Sequence, residues 1–294
     1  MIRVLGTLFA ALAGLAFGSF LNVCLTRWPE GESIVTPRSH CRNCGRTLAW
    51  WENVPLVSWL ALRGRCRTCG TWIGWRYLIV EFSVAGIWAY LTWRLLGVYL
   101  AILPGIQIGA YPPAPFTAWP TITAMFLSWV LIGLAVLDAE HFWLADAVTI
   151  PMTVLGIVGV AIALWKWGGV DIQTWTLFGE RILACAASAG LILLIRWIYK
   201  LIRHREGLGL GDAKLMAMLA AWLGLSGALL SFAIGVVLGS FAAIVLLVRR
   251  KKPEGAASWA ATKLPLGTFL CIGGIVASLW GQPIIAAYLR WAGF

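Results

Sequence analysis

Asp138 and Asp212 are the residues whose type and placement point most directly to chemistry. Asp138 ends the apolar run 119–137, and Asp212 follows Gly209-Leu210-Gly211 at the head of another. A carboxylate at a membrane boundary is costly unless it has a task, and this chain holds only 12 acids in 294 residues. Two carboxylates brought close together cannot both ionise cheaply, so they share a proton. The ionised partner then serves as general base toward water while the protonated partner polarises a scissile carbonyl, splitting a peptide bond without metal or covalent intermediate. Read singly, each acid is a helix cap or the end of a span. Read as a pair, beside glycines that permit positive φ and close approach of a substrate strand, they form a candidate catalytic dyad. His40, His141 and His204 have no evident Ser or Cys partner at a comparable boundary, and Glu140 and His141 read as polar loop residues.

Cys41-x-x-Cys44 and Cys66-x-x-Cys69 form the second constellation. With 21 residues between the pairs, the spacing is that of a tetrahedral four-cysteine zinc site built from two knuckles. Gly45 and Gly70 follow the pairs and suit tight knuckle turns, while Arg42, Arg46, Arg65 and Arg67 would favour thiolate. Four thiolates leave no open coordination position, so Zn2+ here is expected to be structural. It would let a loop of roughly 50 residues fold without a large core. Cys24, Cys185 and Cys271 lie in or beside apolar runs and read as packing residues.

The elements that must position these groups are set by composition. At 61% hydrophobic and 12% charged residues, with mean hydropathy +0.84, the chain exceeds what a soluble core needs and reads as an all-α polytopic membrane protein. Eight spans are expected: about 4–24, 78–97, 119–137, 148–165, 181–199, 214–226, 227–248 and 264–289. Residues 98–118 carry Pro104, Pro112, Pro113 and Pro115 with Gly105 and Gly109 and read as a loop or re-entrant segment. The first run is too long for a signal-peptide core and lacks a cleavage site, so it is kept as a span. Gly14-x-x-x-Gly18 and Gly235-x-x-x-Gly239 permit close helix packing, within one chain or between subunits; the oligomeric state is open.

The net charge of +11 reads as a topology signal and not as a nucleic-acid footprint. Eight of the 23 Lys and Arg lie in 25–77, four more in 200–214 and five in 249–263, whereas 98–118 and 167–180 have none. The positive-inside rule makes the basic loops cytoplasmic and puts both termini outside. Two spans separate Asp138 from Asp212, so both lie at the cytoplasmic face. The cysteine loop is then in a reducing compartment, where thiolates hold metal instead of forming disulfides. The expected organisation is a first transmembrane helix (1–24), a cytoplasmic four-cysteine zinc domain (25–77) and a membrane domain of about seven helices (78–294).

Beyond these residue-level readings, the chain resembles the bacterial prepilin peptidases, the bifunctional leader peptidases and N-methyltransferases of type IV pilus and type II secretion systems. The likeness runs through Gly18-Ser19-Phe20-Leu21-Asn22-Val23, the cysteine pairs flanking Glu52-Asn53-Val54-Pro55-Leu56-Val57-Ser58-Trp59, Leu137-Asp138-Ala139-Glu140-His141 and Glu206-Gly207-Leu208-Gly209-Leu210-Gly211-Asp212-Ala213-Lys214. It implies that Asp138 and Asp212 are the aspartates of a membrane aspartic endopeptidase, with Gly209, Gly211, Lys214 and Asp146 supporting the catalytic loops. It further implies a bacterial inner-membrane location amid membrane lipid, prepilin or pseudopilin substrates cut after a glycine beside a hydrophobic helix, and methylation of the new N-terminus with S-adenosylmethionine.

Three departures mark a divergent member: Cys41-Arg42-Asn43-Cys44 where the family has Cys-Pro-x-Cys, Leu144-Ala145-Asp146 where it has Leu-Pro-Asp, and Pro265-Leu266-Gly267-Thr268 for a Pro-Phe-Gly-Pro-like motif. No Gly-rich loop identifies a cofactor site. Two alternatives stand beside the peptidase: a proton- or ion-coupled transporter with Asp138 and Asp212 as a relay, and a zinc-dependent membrane sensor. The transporter's expected mid-membrane broken helices and inverted repeat are not evident in the sequence.

Overall fold

The structure is a computed structural model that describes residues 1–102, 114–167, 172–204, 209–249 and 264–293. It consists of α1 (Ile2–Arg27), α2 (Val57–Ala61), α3 (Trp75–Ile102), α4 (Ala114–His141), α5 (Asp146–Trp167), α6 (Ile172–Arg203), α7 (Leu210–Arg249) and α8 (Leu266–Trp291). Among the described residues the only β pairing is two isolated antiparallel bridges. Six helices, α1, α3, α4, α6, α7 and α8, are long and apolar enough to cross a membrane, while α5 has a shorter apolar stretch, Asp146–Ile162. Their outward faces carry Leu8, Phe9, Leu12, Phe82, Val237 and Phe241, all exposed, as helices facing lipid require because hydrocarbon offers nothing for polar groups to bond.

Helix α7 explains how one 40-residue element answers to two expected spans. Gly224 has φ 77° and ψ 177°, a conformation almost confined to glycine. The contacts show that the chain turns back there. Lys214 pairs with Asp146 at the start of α5, and Trp222 Nε1 donates to Met152 O further along it, so the first stretch runs parallel to α5. Gly239 lies against Phe269, Gly235 against Leu270 and Gly273 against Ser231, so the second stretch runs antiparallel to α8. Helices α5 and α8 start at the same level, because Leu144 lies against both Gly211 and Gly267. The Arg181 guanidinium stands 3.5 Å from the Ala220 carbonyl, one turn before the break. The first stretch, to Leu223, rises only roughly 21 Å, so eight full spans remain an expectation.

The connections are shorter than the sequence suggests. Helix α3 continues to Ile102 and α4 begins at Ala114, so the ends of the expected loop 98–118 are helical. Pro115 falls in the first turn of α4, where its missing N–H costs nothing. Most of the expected loop 167–180 is likewise helix, since α6 begins at Ile172. Arg205, Glu206, Gly207 and Leu208, and the basic segment 250–263, lie outside the described residues.

The chain divides into two compact units, Met1–Gly133 and Leu134–Phe294. In the first, the Gly14-x-x-x-Gly18 stripe is internal: a Cβ on Gly14 would lie 2.7 Å from Ala85 Cα, and one on Gly18 2.7 Å from Glu81 Cα. Glycine therefore lets α1 and α3 approach backbone to backbone. In the second unit Gly235 and Gly273 do the same between α7 and α8, while Gly239 meets only the Phe269 ring, and Leu215, Met216, Met218, Leu219 and Leu270 are fully buried. Lipid is as apolar as these side chains, so what holds the helices is close van der Waals contact between small and large residues.

Candidate active site and metal centre

In the second unit the chain folds three helix ends around one point. Asp138 lies one turn before the end of α4, Asp212 is the third residue of α7, and the head of α8 presents Gly267 and Thr268. Thr268 N–H donates to Asp138 Oδ2 at 2.7 Å, so this carboxylate caps α8 from another helix and meets its positive end. The Thr268 hydroxyl stands 3.1 Å from the same oxygen and 3.0 Å from Ala135 O. With one proton, it can serve only one of them at a time. Asp212 Oδ2 accepts from Gly209 N–H at 3.1 Å. The two carboxylates are within electrostatic reach of each other and of the fully buried Cys271. Both acids are buried. The cap reading and the dyad reading are thus not rivals, because capping is what holds each carboxylate in place.

The glycines act differently from expectation. Neither Gly209 nor Gly211 has positive φ; Gly211 lies in the first helical turn of α7, where a Cβ would meet Leu144 Cβ at 3.1 Å. Its task is to let Leu144 pack between α7 and α8. Gly267 does the same at closer range, since its Cβ would come 2.9 Å from both Asp138 Cγ and Leu144 Cδ1. Lys214 Nζ meets Asp146 Oδ2 at 2.6 Å, tying the first turns of α7 and α5 together at an exposed edge. Glu140 and His141 stand 3.9 Å apart on the surface. Thr268, Gly267 and Leu144 were missed as site residues; the signal available was the Pro265-Leu266-Gly267-Thr268 run opening an apolar stretch.

In the first unit the four cysteines meet. All four Sγ atoms lie within 4.8 Å of one another, and Cys41 and Cys69 Sγ are 3.7 Å apart. Tetrahedral Zn–S bonds of ~2.3 Å put sulfurs about 3.8 Å apart, so the donor set fits Zn2+. The two knuckles repeat one design. Cys41 N–H donates to Arg46 O and Gly45 N–H to Cys41 O; Cys66 N–H donates to Thr71 O and Gly70 N–H to Cys66 O. Gly45 and Gly70 both have φ 69°, the left-handed turn each knuckle needs.

The thiol chemistry favours a cation. The Thr71 hydroxyl, its N–H and the Asn43 side chain hydrogen-bond Cys69 and hold it down to about 5. The Cys69 and Thr68 N–H groups lower Cys66. At Cys44 the Arg46 N–H pulls the other way, yet burial and a proton shared with the other sulfurs push it up to about 11. Four crowded thiols cannot all ionise unaided; a divalent cation resolves that.

The surrounding arginines serve other partners. Arg46 forms a two-pronged pair with Glu52 at 3.0 and 2.7 Å, and that pairing, with the Ala49 N–H, holds the Glu52 carboxyl below its usual range. Arg42 pairs with Glu30 and Glu32. Arg67 stands over the Trp51 ring. The expectation that Arg42 favours thiolate fails because Glu30 and Glu32 take up its charge, whereas Arg46 interacts with the Cys66 sulfur as well as with Glu52.

Residues 12–95 match the Bacterial Peptidase A24 N-terminal domain, and residues 125–244 match the Type IV leader peptidase family. The chain is 32% identical to the prepilin leader peptidase/N-methyltransferase of Pseudomonas aeruginosa over 96% of this chain and 93% of that protein. It is 30% identical to those of Stutzerimonas stutzeri, over 97% and 94%, and Xanthomonas campestris, over 98% and 96%. No solved structure shows a significant match. With likeness running through both units and nearly the full length, the chain belongs to the type IV leader peptidase family.

Proposed function

We propose that this protein is a membrane aspartic endopeptidase that removes the leader of type IV prepilins or type II secretion pseudopilins and then N-methylates the new terminus. The observation that carries the reading is the convergence of Asp138 and Asp212, each fixed by a backbone N–H at a helix start, in a member of this family. In this reading one carboxylate draws a proton from water as the water attacks the scissile carbonyl. The other, protonated, donates a hydrogen bond to the carbonyl oxygen and then returns a proton to the leaving amine. Thr268 orients Asp138, Gly209 orients Asp212, and Gly211, Lys214 and Asp146 hold the helix ends. Both acids sit at helix ends, which gives the transporter alternative no support.

Residues 25–77 form, in the same reading, a cytoplasmic zinc module in which Cys41, Cys44, Cys66 and Cys69 hold structural Zn2+, and 78–294 form the peptidase domain in the bacterial inner membrane. S-adenosylmethionine supplies the methyl group when bound. Co-expression with candidate prepilins, followed by mass measurement of the product, tests the whole reading. The expected product lacks its leader and carries one added methyl group. An uncut prepilin refutes the peptidase reading, and a cut but unmodified one refutes the methyltransferase reading.

A further inference from the structure

Helix α2 is hooked onto α1 and α3 well inside their ends. Leu56 has φ 57° and ψ −49°, and Val57 N–H donates to Pro55 O at 2.6 Å, which closes a three-residue γ-turn, rare around a leucine. Glu81 Oε2 accepts from Leu56 N–H at 2.8 Å, and the same carboxylate takes the Ser19 hydroxyl. Ser19 lies eight residues before the end of α1 at Arg27, roughly 12 Å inside that helix. Glu81 lies six residues after the start of α3 at Trp75, roughly 9 Å inside it. Both helices are long and apolar enough to cross a membrane, so the strained turn holds α2 at the depth of their apolar runs and not above them.

What α2 exposes at that depth is apolar. Val57 and Leu60, about one turn apart, are each 62% exposed. Trp59, on the same short helix, packs against Trp72 and Trp75 with ring centroids 5.6 and 4.8 Å away, and its Nε1 donates to Gly74 O just before α3. Gly64 closes on this cluster, since a Cβ there would lie 2.7 Å from both the Trp59 and the Trp72 ring. Trp72 also bridges to Arg65, so the second knuckle and the tryptophans form one piece. Trp72 and Trp75 are exposed, and Trp75 opens a stripe on α3 with Ile79 and Phe82, which follow at helical spacing and are exposed as well. Arg63 and Arg65 beside the cluster are exposed and pair with no acid among the described residues.

We propose that this face is seated in the phospholipid bilayer, at the boundary between headgroups and acyl chains. Val57, Leu60, Trp72 and Trp75 enter that boundary, and Arg63 and Arg65 reach from it to lipid phosphates. Tryptophan collects at this level because its ring is apolar while its N–H is polar. Arginine extends its charge to the headgroups and leaves its stem in apolar surroundings. Lipid is the occupant for two reasons: the exposed stripe runs on into the outward face of α3, and two cations without acidic partners match anionic phosphate. A five-residue helix is too short to hold such a surface alone; the tryptophan cluster and the Glu81 bond hold it. Seating gives the cysteine module a second attachment to the membrane, beside its covalent links to α1 and α3.

The test places the fluorescent residue acridonylalanine at Leu60 of the zinc-loaded full chain, in nanodiscs whose phospholipids carry a nitroxide near the top of the acyl chain. Val35 is the comparison position: it is more exposed than Leu60, but Arg27 ties its segment to the end of α1. Nitroxide lipid should quench most of the fluorescence at Leu60 and little of it at Val35. Zinc content and far-UV circular dichroism report folding, and Val57 carries the probe if Leu60 does not tolerate it, with the same outcome expected. Arg63→Glu combined with Arg65→Glu should restore part of the lost fluorescence, because like charges repel the phosphates. Unchanged quenching in that folded variant overturns the role given to the two arginines. A probe at Leu60 or Val57 that is quenched no more than the one at Val35 overturns the proposal, since the face then meets water, a second copy of this chain or another protein.

Discussion

The cysteine module and the aspartate site both gather polar, reactive groups in a mostly apolar chain, but they are held by different forces. The module is local: each knuckle closes within about seven residues through two backbone hydrogen bonds and a left-handed glycine, and its cohesion depends on the cation its sulfurs call for. The aspartate site is assembled from α4, α7 and α8, with Asp138 bonded to a residue 130 positions away. Apart from the Gly209 N–H on Asp212, what holds it is the packing of Gly211 and Gly267 against Leu144. One region should therefore fail when its metal is removed, and the other when its helix contacts are overfilled.

Apart from the two carboxylates themselves, the largest expected effect is on the module. Cys41→Ser or Cys66→Ser, or chelation of the native protein, should release about one equivalent of zinc and expose residues 25–77 to limited proteolysis, because structural zinc is worth on the order of 10 kcal/mol. Fragments of the second unit should stay protected in the same digest. Zinc retained by both variants would break the contrast on its metal-dependent side.

Next is Gly267→Ala, which sets a methyl group 2.9 Å from the Asp138 carboxylate and Leu144. Overpacking of this kind costs about 1–3 kcal/mol, so kcat for a synthetic prepilin should fall roughly 10- to 100-fold with zinc content unchanged. Thr268→Val keeps the backbone donor to Asp138 and removes the hydroxyl, and should cost about tenfold in kcat. Thr268→Ser should restore most of it. Lys214→Met breaks an exposed pair with Asp146; such pairs contribute at most about 1 kcal/mol, so cleavage should change less than about fivefold. A larger loss would make that pair part of the catalytic geometry.

The same contrast decides what was legible in the sequence. Cysteine spacing alone locates the four-sulfur cluster, because its turns are set within a few residues. Span parity and charge place Asp138 and Asp212 on one face, but not Thr268 or Leu144 beside them, since contacts between distant helices leave no spacing to read. The glycines show the limit most clearly. Gly-x-Gly before Asp212 suggests a flexible loop, whereas Gly211 is helical and serves packing. Gly224, which carries the turn inside α7, lies close to the boundary between the expected spans 214–226 and 227–248, so the turn is legible in the sequence while the residue that makes it is not. Glu52 and Glu81 were likewise visible only as charges until the structure joined one to Arg46 and the other to the Leu56 turn.

The central claim is that Asp138 and Asp212 act together on water. The most direct measurement is the rate of synthetic prepilin cleavage by purified Asp138→Asn and Asp212→Asn, each with zinc content and helicity equal to wild type. Both should lose at least about 10³-fold in kcat/KM, as members of one catalytic unit do. Cleavage at the wild-type rate by either variant would contradict the account.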